Sequence, residues 1–259
     1  EQRVRRCVVT PALAQLPEGR REPREHETVL ITEDRGGRAR ELVAALHGLG
    51  YSAILVRQNG AASKVSPGVF EADLLSRDSV KQLKEMVERD QGRVTALCHL
   101  AALDSTSGAD CFEVKSLFRL ASAFGSSLRE CAGTLLTVSA LGGVFATGKE
   151  EAPLRPGATA LTGFLKSLAH EWPEVFLKAV DVDPKQSEEH LLSQLLAELG
   201  STDRTVEVGY SARGRTVLQA TPAELNGAAP PAIHLDSETV VLLTGGARGI
   251  TAAVAAALA

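Results

Sequence analysis

Between Thr28 and Gln219 the chain alternates short, uninterrupted apolar runs with longer stretches whose apolar residues recur at helical spacing. That alternation constrains the fold more than any single motif. Val29-Leu30-Ile31 is followed by a stripe of Ala39, Leu42, Val43, Leu46 and Leu49. Ala53 to Val56 and Val69 to Asp73 read as the next strands, with Val80, Leu83 and Val87 marking a helix behind them. Val94 to Leu100 is a strand followed by a helix on Val114, Leu117, Phe118, Ala121 and Phe124. Leu135 to Val138 precedes a helix on Leu161, Phe164, Leu165, Leu168 and Trp172, ended by Pro173. Phe176 to Val182 leads to a helix on Leu192, Leu195, Leu196 and Leu199, and Thr205 to Val208 with Arg215 to Gln219 read as a closing strand pair. Strands that are apolar without alternation are buried on both faces, which requires a parallel sheet covered by helices. The expected class is α/β, a Rossmann-like doubly wound parallel sheet.

Composition narrows the function classes. With 259 residues there is room for one large α/β domain or two small ones. A net charge of −4 offers no general attraction to nucleic acid or to an anionic membrane, and no apolar run approaches the length of a membrane span. No signal peptide is expected, because Glu1 to Arg6 leads only into a short apolar strand; Arg3, Arg5 and Arg6 read as a solvated edge. Cys7, Cys98, Cys111 and Cys131 are widely spaced, without a CxxC pair, and are expected to be reduced thiols of a cytoplasmic protein, two of them buried. No metal site is expected.

Two segments read as loops: Gln15 to Glu27, and the Pro/Ala/Gly stretch from Pro222 to Ala232. The second is taken as a linker over 222–236. Beyond it, Val240 to Leu243 reads as a strand entering Thr244-Gly245-Gly246-Ala247-Arg248-Gly249-Ile250 and then an alanine-rich helix. A glycine turn between strand and helix lets the backbone approach a pyrophosphate, whose charge the helix N-terminus favours. A lone βα unit at 237–259 suggests that the chain is a piece of something longer. The first βα unit aligns with it without a gap: Leu30 to Leu46 against Leu242 to Leu258, Thr32 on Thr244 and Gly37 on Gly249. Glu33 and Asp34 stand where the later copy has Gly245 and Gly246. Two carboxylates at a phosphate's position repel it by roughly 1 kcal/mol or more per close charge pair even in high dielectric. The first copy is therefore expected to keep the architecture without binding a dinucleotide.

Taken in order, LCHLAALDS (Leu97 to Ser105), TLLTVSALGG (Thr134 to Gly143), GATALTGFLKSLAHEWPEV (Gly157 to Val175), VDVDP (Val180 to Pro184), VEVGYSARGRTVLQ (Val206 to Gln219) and TGGARGITA (Thr244 to Ala252) resemble the short-chain dehydrogenase/reductase family. More narrowly, the chain is similar to the ketoreductase of a type I polyketide or polyunsaturated fatty acid synthase, in which a truncated structural subdomain precedes a catalytic one. The form TGGARGIT is closer to the fatty acid branch. The resemblance implies a structural subdomain over 1–221 and the start of the catalytic one at 237–259. It implies NADPH as cofactor, held by Gly245, Gly246, Arg248, Gly249 and Ile250, with Arg248 a candidate for a phosphate contact. Thr251 replaces the third glycine of the usual pattern. Implied partners are the catalytic subdomain of the same polypeptide and an acyl carrier protein bearing a β-ketoacyl phosphopantetheine.

Carbonyl reduction in this family uses a tyrosine acid, a serine that orients the substrate oxygen and a lysine that lowers the tyrosine pKa. By resemblance Ser139 falls on the serine position and Lys115 on the lysine position, while the tyrosine position is Leu154 and its later partner Ala158. The only tyrosines, Tyr51 and Tyr210, lie on other elements. A leucine donates no proton, so the first copy is expected to be inert and Ser139 and Lys115 vestigial. On that view Ser139 caps a turn, Lys115 lies on the surface, and His99 is a hydrogen-bonded core histidine. His170 and Glu171 face solvent. Two other classes stay open: a freestanding, non-catalytic Rossmann-like scaffold or binding module, and a divergent reductase using Ser139 with an unconventional acid.

Overall fold

The computed structural model describes residues 6–16, 18–19, 27–103, 111–147, 155–224 and 235–259. They divide into a main unit, Cys7–Thr221, and a smaller one that includes Pro222–Ala259.

The main unit is built on a ten-stranded sheet in the order β1-β10-β9-β8-β7-β6-β2-β3-β5-β4. Its centre is β2 (Thr28–Thr32), β3 (Ser52–Gln58), β5 (Val69–Ala72), β6 (Val94–His99), β7 (Thr134–Ser139), β8 (Phe176–Val182) and β9 (Glu207–Ser211). These seven pair in parallel throughout. The order reverses between β2 and β6, the topological switch point of a doubly wound sheet. Two antiparallel strands extend it: β4 (Ser63–Ser66) beside β5 and β10 (Gly214–Pro222) beside β9. Beyond β10 lies β1 (Cys7–Leu13), antiparallel to it, since Ala14 donates to the Arg215 carbonyl and the Thr221 hydroxyl to that of Val8.

Strands β2, β6 and β7 are buried along their whole length, because consecutive residues serve opposite cores. Leu30 joins one core, with helices α2 (Arg77–Gln91), α3 (Phe112–Glu130) and α4 (Pro156–Glu171). Val29 and Ile31 join the other, with α1 (Arg38–Gly48) and α5 (Glu188–Leu199). Helix starts are read locally: Ser76 accepts from the Ser79 amide ahead of α2, and Ser187 from the His190 amide ahead of α5. The expected class is the one observed.

Some expectations fail. Strand β4 escaped the sequence reading because all four residues, Ser63 to Ser66, are exposed and carry no apolar pattern. Pro222, expected to open a linker, is the last residue of β10; residues 225–234 lie outside the described set. One cysteine is buried, Cys98, whose thiol burial pushes up to about 12; Cys7 is exposed and the other two are half-buried. In the smaller unit α6 (Gly249–Leu258) forms as expected, but Val240 to Leu243 do not form a strand. Val240 is 95% and Leu242 91% exposed, and no strand pairs with them among the described residues. An isolated strand has no ladder to satisfy its backbone. No described helix is long and apolar enough to cross a membrane.

Candidate functional site

The first βα turn runs from Thr32 at the end of β2 through Gly37, at φ 84°, to α1. Only a glycine takes that backbone without strain. At this helix N-terminus the Asp34 side chain, fully buried, folds back onto the first turn. Its Oδ1 accepts from the Ala39 amide at 2.8 Å, and its Oδ2 accepts from the Arg38 amide at 3.3 Å and the Arg38 guanidinium at 3.4 Å. A carboxylate therefore occupies the anion position that helix geometry creates. Glu33, beside it, is held by Arg40 at 2.7 Å and by Arg57 of β3 at 3.3 Å. The sequence reading treated the pair as repulsive blocks. Asp34 instead contributes as an internal substitute for an anion, and a dinucleotide pyrophosphate does not fit on these amides without displacing it.

The carboxyl ends of β6, β7 and β8 hold the remaining candidates. Ser139 does not cap a turn: its buried hydroxyl donates to Asp181 Oδ1 at 2.9 Å, across from β7 to β8. Asp181 is the hub, accepting also from the amides of Leu141 (2.6 Å) and Phe145 (2.8 Å). Burial raises its carboxyl above the ordinary range, opposed by those amides, by the Ser139 hydroxyl and by the Gly143 amide. The segment it gathers contains four left-handed residues, Gly142, Gly143, Phe145 and Ala146. At Gly143 an added Cβ would collide with the Tyr210 carbonyl, while the Gly143 carbonyl accepts from Thr216 at 2.8 Å. The signal for this hub was an aspartate inside an otherwise apolar strand, Val180-Asp181-Val182.

Lys115 lies on the exposed side of α3, with no hydrogen bond to Ser139. Ala158 is buried in α4, and Leu154 lies outside the described residues. His170 and Glu171 are exposed at the end of α4. His99, fully buried at the end of β6, sits with Nε2 2.9 Å from Ser116 Oγ, which is 3.1 Å from the Glu113 carbonyl. Because that hydroxyl donates to a carbonyl, it accepts from Nε2–H, so the proton of the neutral ring sits on Nε2. Burial lowers its pKa to about 4, and Nδ1 has no partner among the described residues.

Sequence reasoning missed a buried group of charges under β8, β9 and β10. Lys178 and Glu198, both with fully buried side chains, are 3.3 Å apart, and Lys178 is also 3.3 Å from Asp203. Arg215 reaches Glu198 at 2.7 Å and Asp203 at 2.7 Å, and the Tyr210 hydroxyl donates to Glu198 at 2.7 Å. Two cations balance two anions, with Thr205 and Gln15 carbonyls taking further donors. The readable sign was Lys178 in the apolar strand Leu177 to Val180. This group joins strands and a helix.

In the smaller unit Gly245 (φ 73°) and Gly249 (φ 68°) both take left-handed backbone, as their turn requires. Gly246 replaces Asp34, and among the described residues no side chain caps the start of α6, whose Ile250 and Thr251 amides correspond to those of Arg38 and Ala39. Arg248 is exposed and extended just before α6, and Ile250 is 86% exposed. These residues fit the pyrophosphate end of a dinucleotide.

No family model and no curated protein matches the sequence. Solved structures match the fold. An adenylation, ketoreductase and pseudo-Asub multidomain structure of a keto acid-selecting NRPS module aligns at TM-score 0.67 and 18% identity, over 84% of this chain and 18% of that one. An N-terminal ketoreductase from the macrolactin assembly line aligns at 0.65 and 15%, over 85% of this chain and 45% of that one. An alcohol dehydrogenase from the archaeon Thermococcus sibiricus, complexed with 5-hydroxy-NADP, aligns at 0.50 and 15%, over 70% and 94%. The chain thus spans less than half of either ketoreductase chain, and its fold is the Rossmann-like one of short-chain dehydrogenase/reductases.

Proposed function

We propose that this chain is the structural half of an NADPH-dependent β-ketoacyl-thioester reductase in a multidomain polyketide or fatty acid synthase. It buttresses a catalytic subdomain of the same polypeptide and is itself inert. The observation that carries this reading is Asp34, whose carboxylate takes the helix amides a pyrophosphate needs. The Ser139 hydroxyl is likewise committed to Asp181 instead of a substrate oxygen, and Lys115 lies on the outer surface. Likeness to ketoreductase-containing chains supports the reductase setting.

In the catalytic subdomain the glycine turn Gly245, Gly246, Arg248, Gly249 and Ile250 would hold the NADPH phosphates, and the acyl carrier protein would deliver the β-ketoacyl thioester. Bound there, NADPH supplies the hydride that makes the β-hydroxy product. The proton comes from a tyrosine for which this chain carries Leu154. The experiment is to incubate the chain with NADPH and a β-ketothioester surrogate, following absorbance and cofactor fluorescence. No turnover and no saturable binding by the Cys7–Thr221 unit is expected. Reduction of the surrogate by this chain alone would overturn the inert reading.

A further inference from the structure

We infer that this chain fills its own nucleotide crevice at two further points, with Gln58 standing in for a base and Glu33 for a ribose phosphate, as Asp34 does for the pyrophosphate. The inference rests on the reading that the first βα unit takes no dinucleotide, and it names what keeps that crevice closed. In a doubly wound sheet the crevice lies beyond the carboxyl ends of the strands beside the switch point. Here those strands are β2, β3 and β5, neighbours in the sheet. Glu33 leaves β2 and donates its amide to the Val56 carbonyl of β3 at 2.8 Å, which ties two of the strand ends together.

Gln58 ends β3 and turns its carboxamide onto the segment that leaves β5. Its Oε1 accepts from the Leu74 amide at 2.7 Å, and its Nε2 donates to Asp73 Oδ1 at 3.4 Å. An acceptor beside a donor is the edge that an adenine ring offers, a ring nitrogen next to the N6 amino group. Gln58 is exposed and borders a cavity of about 520 Å³, lined also by Asn59, Ser76 and Gln82, so its removal opens a space of ligand size and disturbs no core packing. Arg57 stands twenty residues after Gly37, where an arginine in such folds takes a ribose 2′-phosphate. Instead Glu33 holds it at 3.3 Å and Glu71 at 3.8 Å, while Arg40 reaches the same Glu33 oxygen at 2.7 Å. A nucleotide must therefore displace three side chains of this chain, one at each of its recognition points.

The test is a gain of binding. Glu33→Gly with Asp34→Gly reproduces the pair found at Gly245 and Gly246, and Gln58→Ala clears the base end. The whole chain with all three changes is titrated with adenosine 2′,5′-bisphosphate and followed by NMR at the Ala39, Arg57 and Leu74 amides. The wild type is expected to show no shift there, whereas the triple variant should shift at all three and bind at least roughly tenfold tighter. It should also prefer the adenosine compound to its inosine analogue, whose ring edge reverses donor and acceptor; restoring Gln58 should weaken binding and erase that preference. Shifts of these amides in the wild type would overturn the reading on which the inference rests. A folded triple variant that stays silent at them, or that binds both compounds equally, would overturn the inference alone. Gln58→Ala by itself leaves the α1 turn untouched and covers the case of a triple variant that does not fold: adenosine should shift its Leu74 amide but not that of the wild type, and no shift would overturn the inference.

Discussion

Acidification tests the buried imidazole at the end of β6. His99 is neutral in the folded chain with a pKa lowered by burial from 6.5 to about 4. Between those values the unfolded chain binds the extra proton, so stability is fully present above pH 6.5 and falls as pH drops toward 4. The whole difference corresponds to roughly 3 kcal/mol, of which about 2 kcal/mol is lost by about pH 5. With a urea slope of about 2 kcal/mol/M, the unfolding midpoint should move down by about 1 M between pH 7.5 and 5. Asp181 works in the opposite sense: its raised carboxyl pKa makes the folded chain the tighter proton binder above its ordinary 3.8. The decisive quantity is therefore the difference between the wild type and His99→Gln, which keeps a donor for Ser116 and does not titrate. The pH-dependent loss should shrink by about 2 kcal/mol in the variant. Parallel pH profiles for the two proteins, or an NMR titration of His99 near 6.5, would refute the argument.

Three further outcomes are expected. Asp34→Ala removes the internal anion at the start of α1 and should cost about 1–2 kcal/mol, with faster amide exchange at Arg38 and Ala39 read by NMR. Lys178→Met strips a cation from beside buried Glu198 and should cost about 3–5 kcal/mol in chemical denaturation, whereas Tyr210→Phe, losing one bond to that carboxylate, should cost about 1.5–3 kcal/mol. Gly143→Ala meets both a left-handed backbone and the Tyr210 carbonyl, and should cost more than about 2 kcal/mol; a melting point within error of wild type would contradict the described packing.

The parallel core was legible because burial on both faces writes itself as unbroken apolar runs, as in Val94 to His99, and because each covering helix repeats its apolar stripe. Exposed elements leave no such trace, which is why β4 was invisible. Val240 to Leu243 show the converse: an apolar run alone does not make a strand without a neighbour to pair with. At the site, sequence singled out Glu33 and Asp34 by their alignment with Gly245 and Gly246. It could not show that Asp34 would turn inward, because that depends on the rotamer and the backbone of the turn. The partners of Ser139, Lys178 and Arg215 were hidden for another reason. Asp181, Glu198 and Asp203 are brought to them by strand pairing and helix packing, at separations no local pattern encodes.

A fold of this kind ordinarily gains stability from its coenzyme by mass action, so that its rigidity follows the nucleotide pool. Here the balancing negative charge at the head of α1 is covalently part of the chain, always present at a fixed effective concentration. The first turn of α1 therefore needs no anion from solution to satisfy the amides of Arg38 and Ala39.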